Sequence, residues 1–160
     1  MDKLWAPWRI NYISTAKKQK GCLFCAAAKS SADKQNLILF RSRSVFAILN
    51  KYPYNNGHLM ISPYRHIKDL KSFSRQEILD MFSTLSKMQG LLKKTLNPDG
   101  FNIGINAGGS AGAGIPNHLH THIVPRWKED TNFMPVLFET KVISQSLDEL
   151  YVRLSEKLGR

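Results

Sequence analysis

His118-Leu119-His120-Thr121-His122-Ile123-Val124-Pro125 is the stretch from which the rest of the chain is best read. Its imidazoles alternate strictly with Leu119, Thr121 and Ile123, and a strand sends every second side chain to one face. The pattern predicts a strand over residues 118–125 with three imidazoles in a row on the same side. Just upstream, Phe101, Ile103 and Ile105 alternate with Asn102, Gly104 and Asn106, which is strand period again. Between the two lies Ala107–Pro116, a loop holding Gly108, Gly109, Gly112 and Gly114.

Further out, Leu37–Phe40 and Val45–Leu49 flank Arg41-Ser42-Arg43-Ser44 and read as a hairpin. The turn-rich Tyr52-Pro53-Tyr54-Asn55-Asn56-Gly57 leads into a third short strand, His58–Ser62. Ser74-x-x-Glu77 is a capping box that opens a long helix. In that helix Ile78, Phe82, Leu85, Met88 or Gln89, and Leu92 recur at helical spacing until Asn97-Pro98-Asp99-Gly100 stops it. A second box, Ser146-x-x-Glu149, opens a C-terminal amphipathic helix striped by Leu147, Leu150, Tyr151, Leu154 and Leu158. Lys17–Lys20 and Lys29–Gln35 read as exposed loops. The expected fold class is α+β: an antiparallel sheet of about five strands with one long inserted helix and one terminal helix. The expected organisation is a single domain over 1–160, with an N-terminal arm over 1–35 and the C-terminal helix within 142–160.

Composition narrows the function classes. The chain has 160 residues, 42% hydrophobic and 22% charged, ordinary values for a globular domain. It contains no apolar run near the roughly 20 residues that span a bilayer. The first residues, Met1-Asp2-Lys3-Leu4-Trp5, lack an apolar secretory segment, so the expectation is a soluble, cytoplasmic protein with no membrane partner. Twenty-three Lys and Arg against 12 Asp and Glu give +11. Counted along the chain, residues 1–50 carry nine bases against two acids, 51–100 eight against four, and 101–160 six against six. A basic first half favours anionic ligands, or is simply a lysine-rich solvated surface.

Three aligned imidazoles suit metal binding or phosphate chemistry. The glycine-rich loop supplies the complementary half, because backbone N–H groups with few side chains around them can surround an anion. The loop lacks the Gly-Lys-Ser/Thr ending of a P-loop and feeds a strand instead of a helix. A neutral imidazole is a competent nucleophile, and the phosphorus–nitrogen bond it forms can be resolved by a second acceptor. The chemistry expected is two displacements through a phosphohistidine. Separately, Cys22-x-x-Cys25 is half a zinc site by spacing, with redox and incidental readings equally open from the pair alone. Available histidines make a Cys2His2 zinc site attractive, and no organic cofactor is indicated.

The segment 118–124 resembles the histidine-triad signature, in which three histidines alternate with apolar residues, with Thr121 as the departure. Trp5-Ala6-Pro7-Trp8-Arg9, Gly21–Cys25, Tyr52–His58, Pro125-Arg126-Trp127 and Thr131-Asn132-Phe133-Met134-Pro135 extend the resemblance over most of the chain. It is similar to the prokaryotic branch related to diadenosine tetraphosphate phosphorylases. The resemblance implies that His120 is the nucleophile, that His122 contacts the phosphates and that His58 supports the triad. It implies Asn50 on the ribose, Asn106 on the phosphate side and Gly112, Ala113 and Gly114 as the phosphate-cradling backbone. Trp127 would touch a phosphate or the leaving nucleotide. It further implies a structural zinc held by Cys22, Cys25, His66 and His118, and a homodimer.

The function so implied is a nucleotidyl transferase or hydrolase that cleaves an adenosine polyphosphate, with phosphate or water as acceptor. Ala107 and the Ala113-Gly114 step depart from relatives at positions that bear on the acceptor and the leaving group. One alternative keeps the enzyme and changes the substrate to a nucleoside phosphoramidate or adenylylated amine. Another is a zinc-stabilised nucleic-acid-binding module, which no aromatic–basic RNA motif or C2H2 finger spacing supports.

Overall fold

A computed structural model describes residues 21–128, 130 and 143–159. The motifs Trp5–Arg9 and 131–135 and the loop Lys17–Lys20 lie outside the described residues. Five strands, β1 (Ile38–Arg41), β2 (Val45–Leu49), β3 (Leu59–Pro63), β4 (Gly100–Ile105) and β5 (Thr121–Arg126), form one sheet in the order β1-β2-β3-β5-β4. All four pairings are antiparallel. The helices are α1 (Leu23–Lys29), α2 (Asp33–Asn36), α3 (Arg75–Leu96) and α4 (Leu147–Lys157).

The segment 29–35 is therefore not the open loop expected from its polar composition. It carries the end of α1 and most of α2, and the Arg41 side chain holds it in place. The guanidinium donates to the carbonyls of Ala27, Ala28 and Ser30 and pairs with Asp33 at 2.9 Å. Leu37 closes α2 in the left-handed region at φ 59°, so β1 starts one residue later than the apolar run suggests.

Both faces of the sheet are covered, which explains why β2 and β3 are buried at every position. On one face Val45, Ala47, Leu49, Leu59, Ile61 and Ile123 pack with Met88 and Leu92 of α3 and Leu150 and Leu154 of α4. On the other, Ile38, Phe46, Ile48 and Met60 pack against Phe24 and Ala27 of α1. A register shift between Ile38 and Phe40 lets β1 contribute to both faces.

The capping box of α3 is complete. Ser74 Oγ accepts the Glu77 N–H, and the Glu77 carboxylate accepts the Ser74 N–H at 2.8 Å. Arg65 grips the same carboxylate with two bonds of 2.7 Å and holds its pKa down at about 2. Asn97 ends the helix in the left-handed region at φ 48°. The buried stripe of α3 is Met81, Thr84, Met88, Leu91, Leu92 and Thr95, so the predicted stripe is turned by about one position. Ile78 and Phe82 are exposed, the latter at 66%. Among the described residues no helix is long and apolar enough to cross a membrane.

Candidate active site

β5 begins at Thr121, three residues later than the alternation suggests, because His118 lies in a bend whose N–H donates to the Ile115 carbonyl at 3.3 Å, while the Leu119 N–H donates to the Ile67 carbonyl at 2.7 Å. His118, His120 and His122 are all buried and follow one another along the α1 side of the sheet. Phe24 touches the rings of His118 and His120, with centroids 5.2 and 4.7 Å away, and His120 touches His122 at 4.7 Å. Between them Thr121 points to α3, where its hydroxyl meets the Met81 sulfur at 3.1 Å. The departure from an apolar residue at that position thus has a partner of its own.

Backbone groups decide the tautomers. His120 Nδ1 lies 2.9 Å from the carbonyl oxygen of His118, which can only accept, so Nδ1 carries the proton and Nε2 keeps its lone pair. His58 Nδ1 receives the Tyr54 N–H at 3.0 Å, with the Asn50 amide at 3.3 Å, so its proton sits on Nε2. His58 Nε2 then donates to His122 Nδ1 at 2.8 Å, which leaves the His122 proton on Nε2. That Nε2–H is buried and has no partner among the described groups. Burying an N–H donor without a partner is costly, which marks the position as one an acceptor is meant to fill.

Burial keeps the row neutral. It pushes the His58 pKa down to about 3 and that of His122 to about 4, each reinforced by neighbouring imidazoles, and it lowers His120 as well. At pH 7 the site therefore presents a neutral imidazole lone pair beside an N–H donor.

The turn that carries His58 depends on Gly57, whose φ is +77°. A Cβ there would stand 2.6 Å from Leu96 Cδ1 and 3.1 Å from Pro125 Cγ. Asn55 ties the same turn to β5 by donating to the Pro125 carbonyl at 3.0 Å and to Asp130 at 2.9 Å. Gly104 stands opposite His122 in the β4–β5 register, and a Cβ on it would meet open space. The register ends with Ile105 opposite Thr121, and Asn106 follows directly after β4 at the entry to the glycine-rich loop. Asn50 accepts the Tyr52 N–H on Oδ1 at 2.9 Å and reaches His58 with its amide, at the rim of the row.

In the glycine-rich loop the Gly112 N–H donates to the Gly109 carbonyl at 3.0 Å and the Ala113 N–H to Gly108 at 3.3 Å. Two of the three cradle amides are thus turned into the loop in this conformation. Trp127 is not brought to the row. It lines a cavity of about 480 Å³ with Asn56, Thr95, Leu96 and Arg153, at the end of α3.

Cys22, Cys25, His66 and His118 converge, with their ligand atoms all within 4.8 Å of one another. Cys22 Sγ lies 3.2 Å from His118 Nδ1, and Cys25 Sγ lies 3.3 Å from His66 Nδ1. A tetrahedral metal with bonds of about 2.3 Å to sulfur and about 2.0 Å to nitrogen sets sulfur–nitrogen edges of about 3.5 Å. The donor set fits such an ion. His118 Nε2 donates to the Pro63 carbonyl at 3.0 Å, so its Nδ1 lone pair faces the sulfurs, the usual second tie of a metal-binding histidine. These four residues could hold a metal ion.

Comparison with known proteins places this geometry. The HIT domain family matches residues 31–129. The chain belongs to the HIT family. A HIT relative named AP-4-A phosphorylase, from Mycobacterium tuberculosis, is 36% identical over 167 aligned positions, covering 100% of this chain and 86% of its own. A Schizosaccharomyces pombe protein named bis(5'-nucleosyl)-tetraphosphatase [asymmetrical] is 31% identical, over 75% of this chain and 66% of its own. The crystal structure of a Zn-bound histidine triad family protein from Mycobacterium smegmatis superposes with a TM-score of 0.69. That neighbour shares 25% identity and covers 87% of this chain and 94% of its own.

Sequence reading missed two members of the site. Phe24 carries no mark beyond its place between the two cysteines, and Tyr54 was part of a turn motif. Tyr54 meets His58 in a tilted contact with centroids 4.7 Å apart and stacks on His122 at 5.8 Å.

Proposed function

We propose that this HIT protein cleaves diadenosine polyphosphates by transferring a nucleotidyl group first to His120 and then to phosphate or water. The observation that carries the reading is the tautomer pattern: a lone pair on His120 Nε2 beside an unsatisfied N–H on His122 Nε2. Nε2 attacks the α-phosphorus. A phosphorus–nitrogen bond forms as the bond to the bridging oxygen breaks, and the remaining polyphosphate leaves with the electron pair. The His122 N–H donates to the oxygens on which charge develops. In the second step an oxygen of phosphate or water bonds to phosphorus as the phosphorus–nitrogen bond breaks, His120 Nε2 regains its lone pair, and a proton of the attacking water passes to solvent.

The roles of the neighbours follow from their places. Asn106, directly after β4, and the amides of Gly112, Ala113 and Gly114 serve the phosphates. The Ala113 amide would leave its 3.3 Å internal bond to do so. Asn50 serves the ribose from the rim, and partly buried Leu23 and Ile115 beside the second apolar cluster offer a surface for the base. For Trp127, at the end of α3, the geometry supplies no such role. Zinc in the Cys2His2 cluster would supply a cross-link between α1 and the lead-in to β5, without joining the reaction. The names of the relatives support the substrate class, and a cytoplasmic location belongs to the same reading.

The test is a product assay on diadenosine tetraphosphate with and without inorganic phosphate, resolved by nucleotide chromatography. ADP plus ATP formed only with phosphate identifies phosphorolysis, and AMP plus ATP in both conditions identifies hydrolysis. No cleavage in either would sink the reading and turn attention to nucleoside phosphoramidates.

We also infer a homodimer. Among the described residues β4 is an edge strand with Ile103 and Ile105 exposed, and its odd residues share a face with α3, since Ile103 pairs Ile123. Asp80 and Lys87 of α3 face β1 and its hairpin, so Ile78 and Phe82, on the opposite flank, face the β4 side. An unpaired edge continuous with an apolar flank suits pairing with a second copy. Replacing Ile103 and Phe82 together by Glu is expected to halve the mass in sedimentation equilibrium, and a monomeric parent protein would refute the dimer.

A further inference from the structure

We propose that Phe24 is a positioning residue for His120: the turn bracketed by Cys22 and Cys25 holds its ring against the nucleophile and sets the direction of Nε2. The inference rests on the reading of His120 as nucleophile and adds to it the element that aims the ring.

Among the described residues His120 makes one side-chain hydrogen bond, from Nδ1 to the His118 carbonyl. A single N–H···O bond fixes which nitrogen carries the proton, yet leaves the imidazole free to tilt about that bond, which would swing Nε2 off the line of attack. Two rings remove this freedom. His122 stands at 4.7 Å with an interplanar angle of 67°, and Phe24 at 4.7 Å with an angle of 42°. Phe24 and His122 make no ring contact with each other among the described residues, so they flank His120 from different sides.

His122 is itself fixed through His58 and the Tyr54 amide. Phe24 is fixed by burial: it is fully enclosed, edge-on to Phe46 at 6.4 Å and against His118 at 5.2 Å. Its backbone lies in the first turn of α1, whose N-cap is Cys22, between two residues of the cluster that also includes His118. A metal held by this cluster would tie down two of the three restraints on His120, the carbonyl of His118 and the ring of Phe24. Catalytic geometry is sensitive to such aim, since a misplacement of about 1 Å can cost on the order of a hundredfold in rate.

The test is Phe24→Leu in the full chain carrying zinc. Leucine keeps an apolar side chain in the core and removes the ring. The expected result is a fall in kcat of about tenfold or more, with KM within about twofold and zinc retained. Unchanged kcat with zinc retained would overturn the proposal, as would equal changes in kcat and KM. The wild-type protein supplies a second reading that survives a variant that fails to fold. Proton NMR is expected to show nuclear Overhauser contacts from the Phe24 ring to the His120 imidazole protons, and their absence would overturn the proposal directly. If instead a variant without the His120 imidazole turned over normally, the nucleophile reading would fall while the ring contact stood, so the two failures are distinguishable.

Discussion

His120→Asn is expected to lower turnover of diadenosine tetraphosphate by at least about a thousandfold while the fold survives. Asparagine is chosen because its amide N–H can replace Nδ1–H as donor to the His118 carbonyl, so the buried acceptor keeps a partner. What it cannot replace is the lone pair at Nε2. The flanking Phe24 and His122 rings would lose contact area, a cost in stability that a thermal melt reads separately from activity. Retention of more than a few per cent of wild-type turnover would remove His120 as the nucleophile. The parent protein offers a positive counterpart. Rapid quenching during turnover, followed by intact-mass measurement, is expected to show one nucleotidyl adduct that acid releases, as phosphorus–nitrogen bonds are acid-labile.

Removing zinc is expected to release about one equivalent per chain and to lower the thermal midpoint by roughly 10 °C. The size follows from what the cluster joins. Cys22 and His118 are 96 residues apart, and a clip that closes a loop near that length removes about 4–5 kcal/mol of chain entropy from the unfolded state. For a chain of this size about 1 kcal/mol moves the midpoint by roughly 2–4 °C. Chelation at neutral pH, with metal analysis of the released fraction and a melt of the protein, reads both quantities. Cys22→Ser combined with Cys25→Ser should reproduce the melt of the stripped protein. No zinc after gentle purification, freely reactive thiols and a melt indifferent to chelator would defeat the assignment. His118 offers the cluster its Nδ1 and His120 its carbonyl, so the cluster and the imidazole row share a residue without sharing an atom.

Much of this molecule is local in origin and could be read from neighbours in sequence. Period two through 101–105 and 118–125 marks both segments as strand-forming, and β4 and β5 lie there, although β5 starts only at Thr121 because His118 sits in a bend whose N–H donates to the Ile115 carbonyl. The Ser74–Glu77 box and the Asn97 stop mark both ends of α3 because each is closed within a few residues. The spacing of Cys22 and Cys25 fits half a metal site, but only the fold, by bringing His66 and His118 to them, favours that reading over a redox or incidental pair.

Tertiary structure decided whatever depends on groups distant in the chain. The stripe of α3 turned because the helix packs over β2, β3 and β5 at once, which buries Met81 and Thr84 and leaves Ile78 and Phe82 outside. The polar segment 29–35 is held as the joint between two helices because a guanidinium from β1 donates to the carbonyls of Ala28 and Ser30 and pairs with Asp33, an interaction invisible from composition. Trp127, beside the triad in sequence, went to the end of α3. Above all, the triad motif names three histidines but not where their protons sit. The Tyr54 amide and the His118 carbonyl determine that, because a backbone donor and a backbone acceptor cannot exchange roles, and only the fold brings Tyr54 and His58 beside His122.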